Sequence, residues 1–75
     1  MTLNEFVSAF AAEFDSTPEE VFKPETKYRE LEEWSSLVAL SIISMVDDEM
    51  DKQLTGSDLR NAGTIENLYN IIQSK

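Results

Sequence analysis

Residues 33–46 read EWSSLVALSIISMV and place two serines directly before the most apolar segment of the chain. Apolar residues recur in this segment with the spacing that is typical of an amphipathic α-helix. Because helix N-termini favour serine at the cap, Ser35 and Ser36 mark the start of a helix that we predict to run from about Ser36 to Met50. This helix predicts a helical bundle, since its apolar face requires other helices to cover it.

The sequence on either side of this central helix predicts three further helices. Residues 2–14 place apolar side chains on one face, and Thr2 with Glu5 has the spacing of a capping box. A short helical turn is expected over residues 56–63, and Thr64 is positioned to cap a last helix. No run alternates with a period of two, so we predict no sheet. The chain should be all-α, a small four-helix bundle with three longer helices and one short helix, forming a single domain over residues 1–75.

A long connection separates the first helix from the central helix. Residues 19–22 form at most a turn, because Pro24 stops any helix that begins there. The rest of the connection has no clean period, and we expect Tyr28, Leu31 and Trp34 to pin it to the core. Connections of this length are uncommon in a small domain unless they position something.

Composition excludes several classes of function. The chain has 75 residues, with 15 acidic against 6 basic side chains and a net charge of −9. This charge repels phosphate backbones and anionic lipid, so we expect no nucleic-acid binding and no membrane insertion, and a basic protein partner instead. The chain has no cysteine and no histidine, which excludes thiolate zinc sites, a cysteine nucleophile and histidine acid–base chemistry. We therefore expect no catalytic residue and no metal ligand.

The N-terminus and the hydropathy of the chain bear on localisation. The segment MTLNEF has no basic region followed by a long apolar run, as a secretory signal would have. No segment approaches the roughly 20 apolar residues that span a bilayer. We expect a cytoplasmic monomer.

The predicted central helix has two different faces. Its core face collects apolar side chains: Ala39, Ile42, Ile43, Val46 and Met50. Its opposite face collects positions expected to be exposed: Leu37, Ser41, Ser44, Asp48 and Asp51. Leu40 and Met45 flank this outer face, so an otherwise polar surface has an apolar rim. Single exposed apolar residues are common, and the rim is either ordinary surface or a docking surface.

Acidic residues bracket the same helix without a single lysine or arginine between them. There are seven: Glu30, Glu32, Glu33, Asp47, Asp48, Glu49 and Asp51. Those at the C-terminal end oppose the helix dipole, so they do not serve the stability of the helix. Charge runs are often only solvated surface, but this one favours recognition of a basic partner.

The two serines allow two interpretations. A serine at a helix N-terminus is most often a cap, which is a structural role. The same N-terminus, with its free N–H groups and positive dipole end, also favours a phosphate group carried there. The third position after either serine is Val38 or Ala39, so no capping-box carboxylate crowds the site.

Taken over nearly its whole length, the chain resembles the acyl carrier protein family, which has four helices and an acidic second helix. Residues 23–37, KPETKYRELEEWSSL, match the family's run of proline, acid, threonine, an aromatic residue and leucine before a serine. Trp34 is similar to the tryptophan that some members carry two residues ahead of that serine, and residues 54–72 follow the spacing of the family's last two helices. The family motif is Asp-Ser-Leu. Here Ser35 replaces the aspartate, and Ser41 replaces a glutamate of the second helix.

The resemblance implies a prosthetic group and the residues around it. Ser36 would carry 4′-phosphopantetheine, which a phosphopantetheinyl transferase attaches from coenzyme A. The implied partner-contact positions are Leu37, Leu40, Ser41, Asp47 and Asp48. The implied acyl-pocket positions, for which a plain hydrophobic core is the alternative, are Ile42, Val46, Leu54, Leu59, Ala62 and Leu68.

The implied function is transport of cargo rather than catalysis. An acyl or aminoacyl group would be held as a thioester and presented to loading and transfer enzymes with basic docking surfaces. The alternative is an unmodified acidic adaptor of the same fold that binds partners through the same face. A small hydrolase using a serine with an acid is disfavoured, because the sequence offers no suitable base and no oxyanion loop.

Overall fold

The computed structural model describes all 75 residues and contains four α-helices and no strand. The predicted all-α bundle of three longer helices and one short helix is confirmed. None of the four helices combines the length and the apolar character that crossing a bilayer requires. The helices are α1 (Leu3–Ala11), α2 (Ser36–Met50), α3 (Gly56–Asn61) and α4 (Ile65–Gln73), and short 3₁₀ turns lie at Glu19–Val21 and Tyr28–Glu30.

Side-chain caps determine where the helices begin. The Thr2 hydroxyl accepts from the N–H of Glu5 at 3.2 Å, and the Glu5 carboxylate accepts from the N–H of Thr2 at 2.8 Å, which is the predicted capping box. Thr55 and Asp58 form the same reciprocal pair at the start of α3. Thr64 caps α4, as predicted. Each of these caps satisfies backbone donors that a helix end leaves free.

The first helix is shorter than predicted, since it ends at Ala11 rather than at Phe14. After that point the backbone forms tighter bonds, from Glu13 N–H to the Phe10 carbonyl and from Phe14 N–H to the Ala11 carbonyl, both at 3.1 Å. Phe14 is nevertheless buried, with its ring centroid 4.8 Å from that of Phe22. The periodicity therefore identified the buried face correctly, but it did not reveal where α-helical geometry gives way to a turn.

The core is built around the aromatic ring of Phe10. Its centroid lies 5.3 Å from that of Tyr28 and 6.4 Å from that of Trp34, whose ring is nearly parallel to it. α1 packs against both α2 and α4, and α3 packs against α4. The Cα radius of gyration is 10.9 Å, close to the roughly 11 Å expected for a folded chain of this length.

The long connection before α2 is ordered because hydrogen bonds tie it to the second half of the chain. The buried Tyr28 hydroxyl donates to the carbonyl of Leu59 in α3 at 2.7 Å. Two N–H groups of the first turn of α4 donate to the carbonyls of Thr26 and Pro24, at 3.2 and 2.9 Å. The predicted role of Tyr28 as an anchor is confirmed, and these bonds tie the connection that leads into α2 to α3 and α4.

Candidate functional site

The two serines at the start of α2 have different environments. Ser35 is the N-cap, in an extended conformation, and its hydroxyl accepts a hydrogen bond from the N–H of Val38 at 3.3 Å. Ser36 is the first residue of the helix, its side chain is exposed, and its hydroxyl makes no hydrogen bond within the protein. Ser35 therefore serves as the cap of the helix, and the hydroxyl oxygen of Ser36 remains free.

The backbone around Ser36 favours negative charge. The N–H groups of Ser36 and Leu37 donate no hydrogen bond within the chain. They lie at the positive end of a helix of 15 residues whose first turn contains no acidic side chain. A helix terminus of this kind stabilises an anion placed next to it.

A cleft of about 320 Å³ opens beside Ser36, between the start of α2 and α3. Arg29 and Arg60 line it, together with the apolar surfaces of Trp34 and Leu59. The cleft thus combines two guanidinium groups with an apolar wall. Sequence reasoning missed it, because its lining residues come from the connection, from α2 and from α3.

Two walls of this cleft are held in place by the rest of the fold. Arg29 donates from Nη2 to the carbonyl of Ala62 at 2.9 Å. The Trp34 ring packs edge-on against Tyr28 at 4.9 Å and parallel to Phe10 at 6.4 Å. The half-buried indole therefore joins the core on one side and the cleft on the other.

The predicted outer face of α2 carries an exposed apolar pair. Leu37 is 77% exposed and Leu40 is 62% exposed, which makes them the two most exposed large apolar side chains of the protein. Ser41 is half-buried, and its hydroxyl donates to the carbonyl of Leu37 at 3.2 Å. A serine at this position therefore satisfies its hydroxyl on its own helix.

Met45 does not belong to this apolar rim, contrary to the sequence prediction, because it is buried. Met45 and Glu13, which lies in the turn after α1, line the same small cleft. The helical period placed Met45 at the edge of the outer face but did not indicate that its side chain is buried. Among the predicted rim residues of α2, Leu37 and Leu40 remain exposed.

The acidic end of α2 has no cationic partner. The protein contains one ion pair, from Lys75 Nζ to Asp58 at 2.9 Å, and it lies elsewhere. Asp51 ends α2 in the left-handed conformation, with a φ of 54°. The acids in the last turns of α2 are exposed: Asp47, Asp48, Glu49 and Asp51. Their carboxylates are therefore accessible and form no ion pair within the protein.

Glu33, one of the seven acids predicted to serve recognition, is instead a structural residue. Its carboxylate accepts hydrogen bonds from the N–H groups of Asp15, Ser16 and Thr17, at 2.7, 3.0 and 2.9 Å. It also accepts from the Thr17 hydroxyl at 2.7 Å. That hydroxyl first, and then the backbone N–H groups, hold the pKa of Glu33 below its usual range. The prediction is wrong for this residue, which fastens the connection to the turn after α1.

The six implied acyl-pocket positions all lie in the core. They are Ile42, Val46, Leu54, Leu59, Ala62 and Leu68, and each is at most 3% exposed. Of these, only Leu59 borders a cleft, and that cleft is the one beside Ser36. The fold brings the six side chains together in one packed cluster, as a plain hydrophobic core would.

No family model matches the chain, and neither the curated proteins nor the solved structures give a match.

Proposed function

We propose that this chain is a carrier protein of the acyl carrier type, with Ser36 as the residue that bears 4′-phosphopantetheine. The observation that carries the proposal is the free, exposed hydroxyl of Ser36 at the first position of α2, next to a serine that already caps the helix. An attachment residue needs an oxygen that a transferase can reach and that the fold does not require. Ser36 meets both conditions.

The residues around Ser36 fit a phosphodiester. The free N–H groups of Ser36 and Leu37 and the guanidinium groups of Arg29 and Arg60 are all donors, and they are the donor types that bind phosphate in proteins. When bound, the prosthetic group supplies a thiol that holds an acyl or aminoacyl cargo as a thioester. The chain itself supplies the attachment point and the address.

The outer face of α2 is the proposed docking surface. Leu37 and Leu40 offer exposed apolar contacts next to the attachment residue, while Asp47 and Asp48 offer unpaired charge further along the helix. Charge of this kind steers a basic partner and raises its association rate, whereas apolar anchors supply affinity. The proposed partners are a phosphopantetheinyl transferase and the enzymes that load or receive the cargo. Tethering raises the effective concentration of the cargo at each of them.

An unmodified adaptor is the second candidate. It is favoured by the fact that Leu37, Leu40 and the acids of α2 form a complete docking face whether or not Ser36 is modified. Such a protein would bind a basic partner through the same surface and would carry no cargo.

The mass of the intact protein separates these two candidates. The purified protein is incubated with coenzyme A and a broad-specificity phosphopantetheinyl transferase, and a known carrier protein is treated in parallel as a positive control. We expect the mass to rise by one phosphopantetheine group in the wild type and not in Ser36→Ala. A wild-type protein that stays unmodified while the control is converted contradicts the carrier proposal and leaves the adaptor.

A further inference from the structure

The cleft beside Ser36 differs in charge from every other cleft of the protein. The surface has five clefts, and the other four are each lined by at least one acidic side chain. The cleft beside Ser36 is lined by no acidic side chain, although the net charge of the chain is −9. Two of the 6 basic side chains, Arg29 and Arg60, lie there. In an acidic protein, this is the surface that favours a bound anion.

Arg60 is available to bind such an anion. Its side chain is exposed and makes no hydrogen bond or ion pair within the protein. A Cβ added at Gly56 would lie 3.3 Å from Nη1 of Arg60, so the guanidinium group lies close to the first residue of α3. Arg29 uses Nη2 for the carbonyl of Ala62, and a guanidinium group has further N–H donors besides this one.

The rest of the cleft is apolar or small. Trp34, Ala39 and Leu59 provide carbon surface, and Ser36 lies at the same cleft. A ligand that suits this surface has a phosphate next to a short stretch with methyl groups. Phosphopantetheine has this order of groups, since two methyl groups lie close to its phosphate.

We propose, on the basis of the carrier function above, that this cleft holds the near end of the phosphopantetheine arm after Ser36 is modified. Arg60, assisted by Arg29, binds the phosphodiester, and Trp34 with Ala39 contacts the methyl groups. The arm then rests on the outside of the bundle, between the start of α2 and α3. A partner enzyme must draw it away from Arg60 before the cargo can enter its active site.

NMR spectroscopy of the loaded protein tests this inference without any activity measurement. Spectra of ¹⁵N-labelled protein are compared before and after loading, together with the ³¹P signal of the attached arm. We expect loading to shift the indole N–H signal of Trp34 and the Nε–H signal of Arg60. In loaded Arg60→Gln, the ³¹P signal should move and the Trp34 shift should shrink. Loaded Lys23→Gln, which removes an exposed cation outside the cleft, should match the wild type.

The outcomes distinguish the inference from the proposed function. A wild-type protein that loads fully but shows the same Trp34 and Arg60 signals as the unloaded protein overturns the inference, and the carrier function stands. Equal effects of Arg60→Gln and Lys23→Gln on the ³¹P signal also overturn it, since general charge would then explain the result. Failure to load at Ser36 overturns both. Arg60 is exposed and unbonded, so its variant should fold, and an unchanged Tm checks this.

Discussion

The hydroxyl of Ser35 accepts a hydrogen bond from the N–H of Val38 and so closes the first turn of α2. Aspartate and serine are both among the preferred N-cap residues. In the Asp-Ser-Leu motif that this chain resembles, the position of Ser35 belongs to an aspartate. The replacement therefore keeps the cap of the helix and removes one negative charge next to Ser36.

Substitution of each serine separates the cap from the attachment site. Ser36→Ala should abolish modification and change the free energy of unfolding by less than about 0.5 kcal/mol, because the side chain is exposed and unbonded. Ser35→Ala should still be modified and should cost about 1 kcal/mol as a lost cap. Intact mass after treatment with the transferase and urea denaturation measure the two effects. If Ser36→Ala is still modified and Ser35→Ala is not, the arm is attached to Ser35 and our assignment of Ser36 is wrong.

Leucine and valine truncations on opposite sides of α2 separate docking from folding. Leu37 is 77% exposed, so Leu37→Ala should change stability by less than about 0.5 kcal/mol but slow the transfer of phosphopantetheine. Val46 is fully buried, so Val46→Ala should cost roughly 1 to 3 kcal/mol and leave the transfer rate of the folded protein unchanged. Thermal unfolding measures the stability of each variant, and a timed loading assay measures its transfer rate. Similar losses of stability in the two variants would contradict the docking assignment.

Tyr28 should limit stability at alkaline pH. Burial raises the pKa of its hydroxyl from 10.0 to about 12, because the phenolate would lose its hydration in the core. Because the folded pKa lies above the unfolded one, the hydroxyl of Tyr28 makes its full contribution to stability below about pH 10. This contribution is lost as the pH rises towards about 12. Tyr28→Phe should be less stable than the wild type at neutral pH, since the carbonyl of Leu59 loses its donor. The difference between the two proteins should shrink as the pH rises, and a constant difference would contradict the role of the buried hydroxyl.

Glu33 should stabilise the protein at neutral pH and lose this effect in acid. The hydrogen bonds from Thr17 and its neighbours lower its pKa below 4.5, so its contribution is present above that value and is lost as the pH falls through the folded pKa. Glu33→Gln should lower the urea midpoint at neutral pH, and the difference from the wild type should narrow as the pH falls through the lowered pKa of Glu33, because the protonated carboxyl carries no charge. Glu32→Gln is the matched control, because Glu32 is exposed and makes no hydrogen bond. An equal effect of the two variants would mean that only net charge matters.

Salt should affect folding and docking in opposite directions. The net charge is −9 and the protein has one ion pair, so screening of the repulsion should raise the Tm as salt rises to about 0.5 M. The same screening should slow transfer of phosphopantetheine, chiefly through the association rate. In the double variant Asp47→Asn and Asp48→Asn, the rate of transfer should depend less on salt than in the wild type. A control variant that neutralises Glu19 and Glu20, which lie away from α2, should alter the Tm but not the salt dependence of transfer. If the transfer rate of the wild type does not depend on salt, the acidic residues of α2 have no role in docking.

The helices were predictable because each is specified by residues close together in the sequence. The bounds of α2, the capping pair of Thr2 and Glu5, and the exposure of Leu37 follow from local spacing and cap chemistry. Contacts between distant parts of the chain were not predictable in the same way. Glu33 and Thr17 are 16 residues apart, and nothing in either local pattern shows that they meet.

The candidate site was predictable in its serine and not in its surroundings. Ser36 follows from the motif, whereas the cleft requires Arg29 and Arg60 to come together from the connection and from α3. Periodicity assigns a face to a helix, but it does not say which neighbour covers that face. Met45 illustrates this, since it is buried although the helical period placed it at the edge of the outer face.

The hydrogen bonds that tie the connection before α2 to the second half of the chain all end on main-chain oxygens. Tyr28 donates to the carbonyl of Leu59, and Arg29 donates to that of Ala62, while α4 donates its first N–H groups to carbonyls of the connection. Every residue type offers a carbonyl, so these bonds do not depend on the side chains at the acceptor positions, whereas they do require the donor side chains of Tyr28 and Arg29. The position of Ser36 relative to α3 and α4 is therefore set by the path of the backbone and by two donor side chains of the connection.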